Sequence, residues 1–304
     1  MTSAFNPPLD LPGSQDIRVI GPRRSGKSTF MAALAYWPNA DPKKSPIQSV
    51  DPYDNAAGEL ISIAKDILAN GRELAGTDYF FEENIDSLPI YTLLITLKAS
   101  LFKNPFAALK NQFIRIQISC RDYSGELMKD LRSSSSTNPL LNSYLDDCAT
   151  ATSLLLLIDG TSMKSDREYA QALDNLQTEL DQRLSLNPIQ LRNYRIAVVF
   201  TKCEQPDVWV HRQNINQFVS LKFPAIQTSL NKWRNRWGCG INYFFCSAFG
   251  TKGSTPQPNV KVINRDRGGT YGVIDKPLVW RPLGLVAPLY WLQTGQEDKR
   301  LKDI

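Results

Sequence analysis

At 304 residues the chain is long enough for one large or two small domains, and 42% hydrophobic with 21% charged residues is ordinary globular composition. Lysine and arginine outnumber aspartate and glutamate by 35 to 30, a net charge of +5, with acidic residues interspersed, so no nucleic-acid footprint is expected. One histidine, and five cysteines without a C-x-x-C pair, exclude a His/Cys metal centre, and no apolar run, 154–158 included, is long enough to be an integral membrane segment. The cysteines read as reduced packing thiols of a cytoplasmic protein.

Residues 1–15, with Pro7, Pro8, Pro12 and Gly13, read as a flexible leader. A β-branched run, Ile17–Ile20, then feeds Gly21-Pro22-Arg23-Arg24-Ser25-Gly26-Lys27-Ser28-Thr29, which fits the P-loop pattern G-x-x-x-x-G-K-[ST]. The chemistry requires each part. Glycines let the backbone turn its N–H groups toward a triphosphate, and the helix N-terminus behind them adds a positive dipole end. Lys27 would reach the β- and γ-phosphates and the Ser28 hydroxyl would ligate Mg²⁺.

The helix after this loop is expected over 28–37, apolar at Phe30, Met31, Leu34 and Ala35 and stopped by Pro38. Asp51-Pro52 predicts the start of a second helix, which carries Leu60, Ile61, Ala64, Ile67 and Leu68 and ends at Asn70-Gly71. Strands are predicted over 91–97 and 113–120, and 133–139 is a polar loop. Ser153–Asp159 and Arg195–Thr201 read as buried parallel strands, with a helix over Asp166–Leu184 between them. A tryptophan-rich helix ends near Trp237-Gly238 and a last strand spans 242–247. Residues 250–281 form an insertion or small hairpin, a helix covers 283–292, and 296–304 is a charged tail. Strands alternating with helices predict an α/β fold with a doubly wound sheet, its ligand at the carboxyl ends of the strands.

Three further motifs fall at those ends. The strand at 113–120 runs into Asp122-Tyr123-Ser124-Gly125, a D-x-x-G in which the carboxylate could hold Mg²⁺ and the Gly125 N–H could sense a γ-phosphate. The next two are Thr201-Lys202-Cys203-Glu204 and Ser247-Ala248-Phe249. A P-loop followed by D-x-x-G, [NT]-K-x-D and S-A-x on successive strands resembles the Ras-like P-loop GTPases of the translation-factor (TRAFAC) class, over 16 to about 293.

The resemblance implies one GTPase domain over 16–295, built on a mostly parallel six-stranded sheet with one antiparallel strand. Insertions would lie at about 38–89, an enlarged switch-I region, and at 250–281. It implies GTP/GDP and Mg²⁺ as ligands, slow hydrolysis, and effector or regulatory proteins as partners. By that resemblance Thr201 and Lys202 line the base, and Ser247 with the Ala248 N–H meets the guanine O6. Glu204 would accept from guanine N1–H and the 2-amino group, donors that adenine lacks. Most family members have aspartate at Glu204, so an extra methylene must be absorbed there. Glu126 stands where the family commonly has the glutamine that orients water. It would act as a general base, or oppose the reaction by its charge. Arg23 and Arg24 either lie over the phosphates as a finger in cis or point outward. Thr77 is the candidate switch-I ligand of Mg²⁺, ahead of Thr92, which lies within a strand. A degenerate nucleotide-holding scaffold and a P-loop ATPase are the alternatives.

Overall fold

The computed structural model describes residues 16–36, 46–71, 90–98, 113–121, 125–133, 138, 140–184, 188–253, 257–265 and 269–301. In chain order these form β1 (Ile17–Ile20), α1 (Lys27–Tyr36), β2 (Ile47–Pro52), α2 (Asn55–Asn70), β3 (Ile90–Lys98), β4 (Phe113–Arg121), α3 (Gly125–Asp130) and α4 (Leu140–Thr150). The second half contributes β5 (Ser153–Asp159), α5 (Asp166–Leu184), α6 (Pro188–Asn193), β6 (Arg195–Thr201), α7 (Pro206–Trp209), α8 (Ile215–Lys222) and α9 (Pro224–Trp237). It closes with β7 (Gly240–Phe245), the hairpin strands β8 (Val260–Arg265) and β9 (Gly269–Ile274), and α10 (Ala287–Thr294).

Strands with no polar face make the centre. A four-stranded sheet runs in the order β1-β5-β6-β7, every pair parallel, with Ile17 opposite Ser153, Ser153 opposite Arg195 and Arg195 opposite Gly240. The period-2 alternation of strand side chains divides its residues between two cores. Leu155, Leu157, Ala197 and Val199 pack with α1 and α10 on one face. Leu154, Leu156, Ile158, Val198 and Phe200 pack with α4, α5 and α9 on the other. Burial on both faces is what the continuous apolar runs require.

The remaining long strands form a second, antiparallel sheet in the order β2-β3-β4. β4 lies beside β1, but among the described residues the two sheets are not joined by a hydrogen-bonded ladder. Apart from the β8–β9 hairpin, the described strands thus form sheets of four and three where the resemblance implied a single six-stranded one. The added strand is β2. Asp51-Pro52, expected to open a helix, ends this strand instead, and proline is tolerated there because β2 is an edge. The helix begins after Asp54, whose Oδ1 accepts from Ala57 N at 2.6 Å and whose Oδ2 accepts from Thr92 N at 2.7 Å. Asp54 therefore caps α2 and fastens it to β3 at once.

The last expected strand and helix also shift. Ser247 lies beyond β7 in an isolated bridge with Leu283, so α10 cannot begin until Ala287. Residues 250–281 contain the hairpin β8–β9, which packs on α2. The expected leader at 1–15, and Thr77, Asp122 and loop residues 134–137, lie outside the described residues. Among the described residues no helix is long and apolar enough to cross a membrane, and Cys148, Cys203, Cys239 and Cys246 are free and buried.

Candidate functional site

The loop between β1 and α1 is shaped by close backbone approach. A Cβ on Gly21 would lie 2.3 Å from the Leu157 carbonyl oxygen of β5, so only glycine fits that crossing. Ser25 N donates to Pro22 O at 3.2 Å, and Phe30 N to Gly26 O at 2.8 Å, the first turn of α1. Arg24 adopts φ 65°, a left-handed conformation that costs a non-glycine residue strain. Lys27 Nζ donates to Gly21 O at 2.8 Å and Pro22 O at 3.0 Å, which lays the ammonium across the loop. Ser28 and Thr29 are half-buried in the first turn, where helix N–H groups lack partners four residues back. Ser25 is fully buried, and its Oγ has no hydrogen-bond partner among the described residues.

β5 and β6 end beside this loop. Thr201 Oγ1 donates to Ser25 O at 2.8 Å and to Ile158 O at 3.2 Å, which ties the loop to the middle of the parallel sheet. Lys202 follows with φ 58°, the second left-handed non-glycine residue, and its ammonium pairs with Asp159 Oδ2. Asp159 Oδ1 accepts from Thr161 N at 2.9 Å and Thr161 Oγ1 at 2.7 Å. A buried carboxylate with both oxygens engaged thus holds Lys202 in place. Among the described residues the two non-glycine residues in the left-handed region both stand at the carboxyl ends of the parallel strands, or in the loop that joins them to α1.

Glu204 is only 2% exposed. Burial raises its pKa from the ordinary carboxylate value, and a hydrogen bond from Ser247 works against that rise. Ser247 Oγ accepts from Gly250 N at 2.7 Å, so its proton is free for Glu204. Among the described residues Glu204 Oε2 has no hydrogen-bond partner. Backbone bonds from Cys203 N to Cys246 O at 3.1 Å and from Cys246 N to Phe200 O at 2.9 Å lock the Glu204 loop against the Ser247 loop. Ala248 is half-buried and its carbonyl accepts from Trp280 Nε1 at 2.9 Å. The structure therefore brings Thr201, Lys202, Glu204, Ser247 and Ala248 together.

At the third corner α3 meets the P-loop. A Cβ on Gly125 would lie 2.1 Å from Arg23 N and 2.3 Å from Arg23 Cα, so the glycine is required by contact with the loop backbone. Arg23 Nη1 reaches Glu126 Oε1 at 3.5 Å, and Lys129 Nζ reaches Glu126 Oε2 at 3.6 Å. Arg23 is 74% exposed, and Arg24 is exposed too. A hollow of about 240 Å³ lies here, lined by Pro22, Arg23, Glu126, Lys129 and Tyr169. Thr92 is buried within β3, where its Oγ1 lies 3.3 Å from Ser119 Oγ. Of the expected metal ligands only Ser28 is described, and the described residues hold no cluster of three His, Cys, Asp or Glu.

Sequence reasoning missed Asp159 and Trp280. Asp159 reads as the polar end of an apolar strand, and only its pairing with Lys202 gives it a role. Trp280 lies 32 positions after the carbonyl it binds, inside an insertion without a motif.

No family model matches the chain, and no curated protein matches it. Solved structures do. One is Sup35 complexed with GDP, at 13% identity over 79% of this chain and 38% of that chain, TM-score 0.32. Another is the GTPase-like domain of Ski7 from S. cerevisiae bound to GTP, at 14% identity over 86% and 48%, TM-score 0.35. A third is nucleolar GTP-binding protein 1 from Plasmodium falciparum, at 14% identity over 79% and 80%, TM-score 0.30. This chain thus spans less than half of the Sup35 and Ski7 chains it matches. At such scores the function has to be argued from the chain's own loops.

Proposed function

We propose that this chain is a guanine-nucleotide-binding switch protein of the Ras-like P-loop GTPase type, which hydrolyses GTP slowly and acts through protein partners. The observation that carries the reading is Glu204: a buried carboxylate with one oxygen that has no partner among the described residues, between a platform lysine and the Ser247–Ala248 loop. A buried acceptor without a donor is costly, and a base edge with two adjacent N–H groups would supply what it lacks. Guanine has that edge and adenine does not. Lys27 and the first turn of α1 would hold the phosphates, Gly125 would stand at the γ-phosphate end, and Arg24 beside the loop. Ser28, with Asp122 and Thr77 from outside the described residues, would hold Mg²⁺, which supplies positive charge for the developing negative charge on the phosphates.

The expectation of slow hydrolysis rests on Glu126, whose two oxygens face Arg23 and Lys129. So engaged, the carboxylate is a poor base for water, and Arg23 is drawn away from the loop mouth. Unaided single-turnover GTP hydrolysis is expected below about 0.1 s⁻¹. The same pair favours a second reading, a scaffold that keeps guanine nucleotide without turnover. One experiment tests both: release and identify the nucleotide carried by the purified protein, then follow single turnovers of GTP and ATP. Turnover of ATP alone would sink both readings, and tight GTP retention without hydrolysis, partners present, would select the scaffold.

A further inference from the structure

The Ser247–Gly250 segment follows β7 as an irregular loop, and such a loop presents fixed contacts only if something outside it holds it. The 250–281 insertion does so at several points. Ser247 and Leu283 exchange backbone bonds at 2.9 and 2.8 Å across the base of the segment. Gly250 has φ +65°, and a Cβ there would lie 1.8 Å from Arg281 O, so the backbone beyond the hairpin presses directly on the loop. Gly250 O accepts from Asn259 N at 3.0 Å. Asn259 is fully buried and staples the hairpin's two legs, accepting from Lys276 N at 2.8 Å and donating to Lys276 O at 3.1 Å. Trp280, 7% exposed, closes the ring by donating its indole N–H to Ala248 O at 2.9 Å. The same indole stacks on Tyr36 with ring centroids 5.8 Å apart, at the far end of the helix that begins with Lys27.

We infer that the 250–281 insertion is a brace for base recognition and that Trp280 is its positioning residue. The inference rests on the proposed reading of Glu204 and the Ser247–Ala248 loop as the base site. The consequence is physical: Ser247 is one of two side chains, with Gln205, that favour the ionised Glu204 carboxylate, so a loop free to move removes that hydroxyl from the carboxylate and blurs both contacts to the base edge. A loop held in advance binds without the entropy of ordering it. Trp280 touches no substrate in this scheme; it acts through Ala248. Phosphate binding, supplied by the loop at 21–26 and α1, does not depend on it.

That separation makes the test. Dissociation constants for GDP and ADP are measured on the full chain by calorimetry, for the unmodified protein, W280F and N259A, with Tm recorded for each. W280F keeps a ring against Tyr36 and removes the N–H; N259A cuts the staple and leaves the indole in place. The brace predicts that each variant weakens GDP binding by about fivefold or more, the weight of one buried hydrogen bond and the order it imposes, while ADP changes less than about twofold. Rescue is expected from W280H, which restores a ring N–H. GDP affinity unchanged in both variants overturns the brace, as does an equal loss for GDP and ADP, which would mark Trp280 as ordinary packing. N259A decides the matter if W280F does not fold. An unmodified protein that binds GDP no better than ADP overturns the base-site reading itself, and the brace with it.

Discussion

Glu204 concentrates most of what this chain says about its ligand, and its chemistry gives a signed pH dependence. Burial holds its carboxyl above the ordinary pKa, so between the ordinary and the folded value the native state keeps a proton that the unfolded chain has lost. Stability of the nucleotide-free protein should therefore fall as pH rises through that window. Guanine N–H donors favour the ionised form, so GDP affinity should rise over the same window with release of a proton. Calorimetry in buffers of different ionisation enthalpy reads that proton, which should be absent for ADP and for E204Q. The E204Q variant should also lose roughly 10- to 100-fold of its preference for GDP over ADP. Asp159 gives a milder case: D159N removes the charge that holds left-handed Lys202, and GDP affinity should drop by about threefold to tenfold in the same titration. Lys27 and Glu204 were legible in the sequence because each stands in a motif of fixed chemistry. Asp159 was not, because a carboxylate at the end of an apolar strand has no meaning until the next strand brings a lysine to it.

At the scale of elements, one tightly constrained contact is α3 against the P-loop. G125A places a methyl group where Arg23 N stands, 2.1 Å away, so one of the two backbones must move. The proposed base site is built from other loops, at 201–204 and 247–248. Single-turnover GTP hydrolysis in G125A should fall by roughly tenfold or more, with GDP affinity held within about threefold. Comparable losses in both would show that α3 braces the whole loop. The central strands were readable to the residue: β5 and β6 match their expected bounds because a strand buried on both faces is a plain apolar run. β2 was not. Its Asp51-Pro52 has the local chemistry of a helix start, whereas the true cap, Asp54, accepts from Ala57 N and is fixed in place by a second bond, from Thr92 N across the fold. The hairpin at 260–274 was visible as a possibility, but its work on the Ser247 loop depends on contacts made by backbone and by a distant indole.

For the molecule as a whole, ligand binding should appear as stability. At a GDP concentration about one hundred times its Kd the native state gains about 2.7 kcal/mol, which for a chain of this size raises Tm by roughly 4 °C. A thermal scan with GDP and ADP side by side measures this, and equal shifts would contradict base selection. The parallel sheet has a further consequence, for the order in which the molecule can be made. β1 finds its partner in β5, Ile17 opposite Ser153, and the loop after it is fastened by Thr201. A ribosome must therefore read most of two hundred codons past the P-loop before that loop can take its shape. Until then the early part of the chain carries every letter of the motif and none of its grip. A nascent chain arrested before Thr201 should not be retained on immobilised GTP, whereas one released in full should.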